Sequence, residues 1–366
     1  MKLTKRLTAI FLCFLIVFSA LPAQIFATEE VSQVEEAEEL SQPIAVENDT
    51  ESGESENEFV FVEPGKEDDA PIGDVIITNK GYRIQLNPDE ESYTILEYIG
   101  SDSDVVILSE HNGLPITRIA SYAFSNKSGL KTVRIPETVN RMEQGIFDGC
   151  EALTYHIYEN GKYLGSENNA YYYYCGPVNE VKITITEATM HPDTKIVAAF
   201  AFRDCDTLRS VIIPDGVKQI GYGMVQGCEL ESITLPFVGE CGTTKNSQFG
   251  WPFGARSFGG NISYVPLSLK SVVITGGTDG KQGIIVKGAF FGVDMIEDIT
   301  LPFLGGSFKS PINTFISWYW GADRYNENIL PPSVKNITIS NSDYISNSAF
   351  YNCSKLESVV IPKNVT

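Results

Sequence analysis

The sequence predicts a solenoid: short stacked coils carrying parallel strands on one face and short helical or irregular segments on the other. Three observations lead there. A motif that ends in an aromatic or apolar residue recurs every 23 residues, from Phe124 to Phe147 and again from Phe202 to Val225. The same tail, a cysteine three residues on and then a strand-like run closed by proline, follows in several copies. The chain of 366 residues is 43% apolar and 20% charged, enough to bury a large continuous core.

The N-terminal residues read as an address label and a tether. Lys2, Lys5 and Arg6 precede an apolar run from Leu7 to Ala20, then Pro22 and small residues to Ala27, the order of a secretory signal peptide over residues 1–27. The run of about 14 residues is short of the roughly 20 that cross a bilayer. Cys13 lies inside the run and not after a cleavage point, so no lipid anchor is expected. Residues 28–74 hold 17 acidic residues and one lysine (Lys66), among Ser, Asn, Pro and Gly, and read as an acidic disordered linker. This stretch carries most of the formal net charge of -20, so the acidity belongs to the linker and not to a binding face. Such a charge argues against nucleic acid, whose binding needs basic side chains.

Residues 75–115 read as an N-terminal β cap. Tyr82, Ile84, Leu86, Tyr93 and Ile95 alternate with polar residues around the turn signal Asn87-Pro88-Asp89. Residues 116–366 are the coils. Ile116 to Phe124 aligns with Val139 to Phe147, and Lys195 to Phe202 with Gln219 to Val225. The tails are Phe147-Asp-Gly-Cys150, Phe202-Arg-Asp-Cys205, Val225-Gln-Gly-Cys228 and Phe350-Tyr-Asn-Cys353. The strands end at Ile135-Pro136, Ile213-Pro214, Leu235-Pro236, Leu301-Pro302 and Ile361-Pro362, where proline lacks the N–H that would extend a ladder. Phe124, Phe147, Phe202, Phe290 and Phe350 are expected to stack inside.

The pattern Ile-x-x-x-Ala-Phe-x-x-Cys-x-x-Leu-x-x-Val-x-Ile-Pro resembles the BspA-like leucine-rich repeats of secreted and surface proteins. The resemblance covers the chain from Tyr93 onward and implies an α/β horseshoe-like, right-handed leucine-rich-repeat solenoid. It also implies adhesion to host or neighbouring-cell surface proteins, with no catalytic residue to carry over. Lys127 and Val293 stand where the pattern has cysteine, and one copy ends in Tyr158-Glu159. The last strand falls just before Thr366, which reads as a truncated array.

Two insertions, near 237–265 and 303–330, interrupt the tandem. Ile233 to Gly239 matches Ile299 to Gly305, and Pro266 to Ile274 matches Pro331 to Ile339, so a unit of about 65 residues is duplicated. Their aromatics, Trp251, Phe253, Trp318, Tyr319 and Trp320, are the candidate binding residues, because large aromatics anchor interfaces. The alternative is that they pack the loop onto the coils. On the binding reading, deletion of residues 306–328 weakens binding and leaves the fold intact. Tyr171 to Tyr174 form a third aromatic cluster, half of which should be buried.

No catalytic, metal or cofactor site is expected. His111, His156 and His191 are scattered, Asp102-Ser-Asp104 is a fragment of a calcium loop, and Gly221-Tyr-Gly223 lacks dinucleotide spacing. Cys150, Cys205, Cys228 and Cys353 share one repeat register and read as small hydrophobes, with a Cys205–Cys228 bridge left open. The expected function is non-catalytic recognition or adhesion by a secreted or cell-surface protein whose mature chain does not span a membrane. The alternatives are a glycan-binding surface module, or the targeting arm of an exported enzyme whose catalytic domain is missing from this chain.

Overall fold

The computed structural model describes residues 70–309, 314–325, 327, 329–363 and 365. The signal-peptide reading and all but the end of the linker reading fall outside them. β1 (Ile72–Ile77), β2 (Tyr82–Leu86) and β3 (Tyr93–Tyr98) form an antiparallel meander. Their period-two alternation buries Tyr82, Ile84, Tyr93 and Ile95. β1 starts inside the 28–74 stretch, because Ile72 pairs with Leu86 across the ladder.

Next come β4 (Asp104–Val106), β5 (Glu110–His111), β6 (Leu114–Ile119), β7 (Thr132–Arg134) and β8 (Arg141–Met142). β3 pairs in parallel with β6, and β6 with β8, which joins the meander to the first coils. β4 and β7 make a separate parallel pair. β9 (His156–Tyr158), β10 (Gly161–Leu164) and β11 (Tyr173–Pro177) form an antiparallel excursion, and β11 then returns to the coil pattern.

From there the chain alternates between two ladders. β12 (Glu187–Thr189), β14 (Ser210–Ile212), β16 (Ser232–Leu235), β17 (Ser271–Ile274), β18 (Asp298–Leu301), β19 (Asn336–Ile339) and β20 (Ser358–Val360) make an all-parallel sheet of seven strands. β13 (Ile196–Val197) and β15 (Gln219–Ile220) continue from β11 as a second parallel ladder. In the first ladder Ala188, Val211, Ile233, Val272, Ile299, Ile337 and Val359 lie in register, and all but Val359 are buried. Like therefore stacks on like, and each coil buries a neighbour's apolar face that it cannot bury alone.

The molecule is rich in strands and poor in helix, as a repeat fold of this kind requires. Of the short helical or irregular segments expected on the second face, the structure has the irregular kind. Two-residue strands and turns occupy it, and α1 (Asn261–Tyr264) is a single turn of α-helix inside an insertion. The turn after each of β6, β8, β13 and β15 explains why no helix forms there. It holds two left-handed residues four apart, such as Tyr122 and Asn126, Gly145 and Gly149, Phe200 and Asp204, or Gly223 and Gly227. The second of these positions is Asn, Asp or Gly in every copy named, the residue types that accept positive φ at least cost.

The aromatic row is present. Phe124 and Phe147 lie 5.5 Å apart between ring centroids, Phe147 and Tyr173 6.4 Å, and Tyr174 and Phe202 5.4 Å. Phe124, Phe202 and Phe290 are fully buried, and Phe147 and Phe350 are half-buried against the same core. Of the tyrosine cluster, Tyr172, Tyr173 and Tyr174 are buried, one more than strict alternation predicts, because Tyr173 and Tyr174 each contact an aromatic of a different coil.

Two cysteines tie coils together without bridging them. The Cys150 thiol donates to the Phe124 carbonyl at 3.1 Å and the Cys228 thiol to the Phe202 carbonyl at 3.3 Å. Cys205 and Cys228 are both free thiols.

Phe202→Ala should lower stability by about 3–5 kcal/mol, the usual cost of a cavity at a filled aromatic site. Ile212→Ala, on the exposed face of the same coil, should change it by no more than about 0.5 kcal/mol. Urea unfolding midpoints of the two variants test the assignment of inner and outer faces.

Candidate binding cleft

The aligned pairs Arg118-Ile119 and Arg141-Met142 stack in parallel register, so two guanidinium groups rise from adjacent strands on the same side. Like charges so placed need carboxylates. Glu143 meets Arg118, accepting from its Nε at 2.8 Å and from a terminal nitrogen, and also accepts from the Ser121 amide at 3.0 Å and hydroxyl at 2.8 Å. Burial alone would raise the Glu143 carboxyl. Arg118 and Ser121 more than offset it, and its pKa lies below the ordinary 4.5.

Arg141 meets Glu240, which comes from a coil almost 100 positions later in the sequence. The Arg141 Nε lies 3.1 Å from Glu240 Oε1, and a terminal nitrogen donates to Oε2 at 3.2 Å. The Glu240 side chain is only 4% exposed, and its oxygens also accept from Gln219 Nε2 at 3.0 Å and Asn246 Nδ2 at 2.7 Å. Gln219 also turns its carbonyl oxygen onto the Met142 amide at 2.7 Å. That contact supplies the acceptor a following strand would have provided for a buried donor.

Arg141, Gln219 and Glu240 thus form a wall with an opening on each side. One cavity, of about 300 Å³, adds Asn140, Lys218 and Cys241. The other, of about 260 Å³, is lined by Ser121, Glu143 and Gln144 on one side and by Tyr222, Trp251 and Arg256 on the other. Trp251 is held by its indole N–H, which donates to the Ile220 carbonyl at 2.8 Å. Its ring meets Tyr222 edge-on at 5.0 Å, and the Arg256 guanidinium lies 4.5 Å over the Tyr222 ring. Both carboxylates of this cleft are saturated by guanidinium and neutral donors. That suits them to hold shape and not to shuttle protons.

All of the insertion aromatics but Trp251 lie where a recognition loop would not hold them. Phe253, Tyr319 and Trp320 are core residues, Trp318 is nearly so, and only Trp251 is half-exposed. The reason is register. The Val225 amide donates to the Pro252 carbonyl at 2.8 Å and the Phe290 amide to the Tyr319 carbonyl at 2.9 Å, so Phe253 and Trp320 take the aromatic position of the next coil. Each sits in a 3₁₀ turn, Trp251–Phe253 or Ile316–Trp320, closed by a left-handed glycine, Gly254 or Gly321. Phe290 and Trp320 rings are 5.5 Å apart. The Tyr319 hydroxyl donates to the Phe303 and Gly305 carbonyls, and burial pushes its pKa far up. Phe253-Gly254-Ala255 against Trp320-Gly321-Ala322 is the sequence signal that marks these residues as coil positions.

Among the described residues no cysteine is an activated nucleophile. Burial pushes the Cys205 thiol up to about 11 and the Cys228 thiol to about 12, so both are protonated at neutral pH.

The model of the BspA type leucine rich repeat region matches residues 108–188, 167–250 and 330–366 in six copies. The chain carries BspA-type leucine-rich repeats. Solved structures of leucine-rich repeat proteins are similar at low identity. The T. pallidum leucine rich repeat protein shares 20% identity over 67% of this chain and 90% of its own, with a TM-score of 0.30. A leucine rich cell surface protein from Faecalibacterium prausnitzii shares 14% over 80% and 95%, with a TM-score of 0.27. The pneumococcal vaccine antigen PcpA shares 11% over 80% and 100%, with a TM-score of 0.28. No curated protein matches the chain.

Three outcomes check how this region is built. Trp320→Ala should destabilise the protein by about 3–5 kcal/mol, and removal of residues 306–328 should disrupt the fold, in contrast to the loop reading; circular dichroism melts distinguish the two. Glu143 has a depressed folded pKa, so its contribution is present above the unfolded carboxylate value and is lost as pH falls through the folded one. Glu143→Gln should therefore be less stable than wild type at pH 7, with the gap closing as pH falls from 4.5; urea midpoints across that range measure it.

Proposed function

We propose that the protein is a secreted or cell-surface recognition protein, a solenoid of BspA-type repeats that binds other proteins and performs no chemistry. The observation that carries this is the outer face of the seven-stranded ladder. Two rows of side chains point away from the core: Glu187, Ser210, Ser232, Ser271, Asp298, Asn336 and Ser358 in one, Thr189, Ile212, Thr234, Val273, Thr300, Thr338 and Val360 in the other. Six strand spacings of about 4.8 Å give a face about 29 Å long. That suits a folded protein surface better than a small ligand. Hydroxyls are the commonest groups on it, beside the carboxylates of Glu187 and Asp298 and the apolar Ile212, Val273 and Val360, and part of the polar capacity is spent sideways: Ser232 donates to Ser210 at 2.9 Å and Asn336 to Asp298 at 2.6 Å.

Beside the face runs a row of alternating charge, Arg209, Glu231, Lys270, Glu297, Lys335 and Glu357, joined in sequence by strand-to-strand hydrogen bonds. Glu297 pairs with both neighbours, at 3.5 Å to Lys270 and 3.9 Å to Lys335. This row is neutral as a whole and leaves the hydroxyl face as the feature a partner meets. Export rests on the N-terminal sequence. Among the described residues, no helix is long and apolar enough to cross a membrane.

The test is a pair of charges placed on the face. Thr234→Lys with Thr300→Lys should leave the melting temperature within a few degrees and reduce binding to purified extracellular proteins at least tenfold, read by biolayer interferometry against a panel. Partner binding that survives both lysines would remove the ladder face from the account.

A further inference from the structure

The cleft beside Trp251 has a chemistry that the ladder face lacks. Its lining carries two guanidinium–carboxylate pairs, Arg141 with Glu240 and, through Arg118, Glu143, so those charges cancel within the wall. Arg256 is different. Among the described residues it makes no ion pair, and its one marked contact is the Tyr222 ring beneath it. A guanidinium stacked on an aromatic face is held in place while its N–H donors stay free in the plane. The cleft therefore presents one fixed, unmatched positive charge.

Around that charge stand a half-exposed indole and neutral hydrogen-bonding groups. The Trp251 ring is fixed by its bond to the Ile220 carbonyl, so it offers an apolar surface and no donor. Ser121 Oγ donates to Glu143 and retains acceptor capacity, and Gln144 spends its amide only on a long 3.4 Å contact with the Tyr122 hydroxyl. The volume of about 260 Å³ lies just under the range of about 300–1,000 Å³ that takes drug-sized molecules. It suits one ring, not an extended chain.

We propose that this cleft binds a single acidic sugar unit, a pyranose ring carrying a carboxylate. The carboxylate pairs with Arg256, the C–H face of the ring lies on Trp251, and its hydroxyls reach Ser121 and Gln144. An acidic peptide side chain would satisfy Arg256 but has no hydroxyls for the neutral groups and no ring for the indole. The site is separate from the seven-stranded face, so its test stands apart from that of protein binding.

Saturation-transfer NMR on the full chain tests it with glucuronic acid, N-acetylneuraminic acid, glucose and hexaglutamate as probes. At least one acidic sugar should bind with a Kd of about 1 mM, the weak range expected of a single ring, and glucose at least tenfold more weakly. Arg256→Gln should weaken the acidic sugar at least tenfold without changing glucose binding; this exposed position leaves the core untouched. Trp251→Phe should reduce transfer to the ring protons and spare the fold. Methyl glycosides that bind as well as the free acids place the ligand at the end of a glycan, and binding of the free acids alone makes it a soluble monosaccharide. Acidic-sugar binding unchanged by Arg256→Gln, no transfer at tens of millimolar, or displacement of the sugar by hexaglutamate at lower concentration would each overturn the proposal.

Discussion

Every feature of the fold depends on coils lying in register, one backbone rung on the next. The rung spacing is fixed by hydrogen bonds of the parallel ladder, so whatever residue type one coil places inward is repeated at nearly the same point in its neighbour. Val211 on Ile233 on Val272 on Ile299 on Ile337 is the result in the long ladder. Aromatic rings follow the same rule in the wall opposite, and the Cys150 and Cys228 thiols reach the carbonyl of the preceding aromatic by one shared geometry. A coil taken alone has half a core and no partner for its backbone. In the stack, both deficits close together.

The repeats were readable because stacking imposes a period, and a period survives substitution. Phe124 to Phe147 and Phe202 to Val225 keep 23 residues even where the aromatic becomes valine. The insertions left two readings open, binding or packing, because they break that period. Trp251, Phe253, Trp318, Tyr319 and Trp320 looked like loop aromatics, since chain length separated them from the motif. In space Phe253 and Trp320 occupy the motif's own position, and the extra residues lead the chain out and back without moving it. Spacing along the chain reports register only where each coil has the same length.

The cleft was barely legible, since of its lining residues the sequence singled out Trp251 alone. Its wall joins Arg141 to Glu240 and Met142 to Gln219, pairs made by the way distant coils approach each other. Nothing local distinguishes Gln219 from any polar residue beside a short strand. One trace was present: Arg118 and Arg141 fall on the same repeat position, so two cations had to be answered by carboxylates from somewhere. The sequence could pose that requirement, and only the three-dimensional arrangement names Glu143 and Glu240 as the answer.

The alternating charges beside the long ladder bear on how such an array can grow. Inserting or losing one rung would set Arg beside Lys or Glu beside Glu, a mismatch that runs against cross-strand pairing. Two rungs at a time keep the signs in order. The duplicated unit of about 65 residues obeys this: Glu231 with Lys270 is followed by Glu297 with Lys335, a copy of minus then plus. The electrostatics of the edge thus favour lengthening by pairs, and the chain's own history of duplication follows that arithmetic.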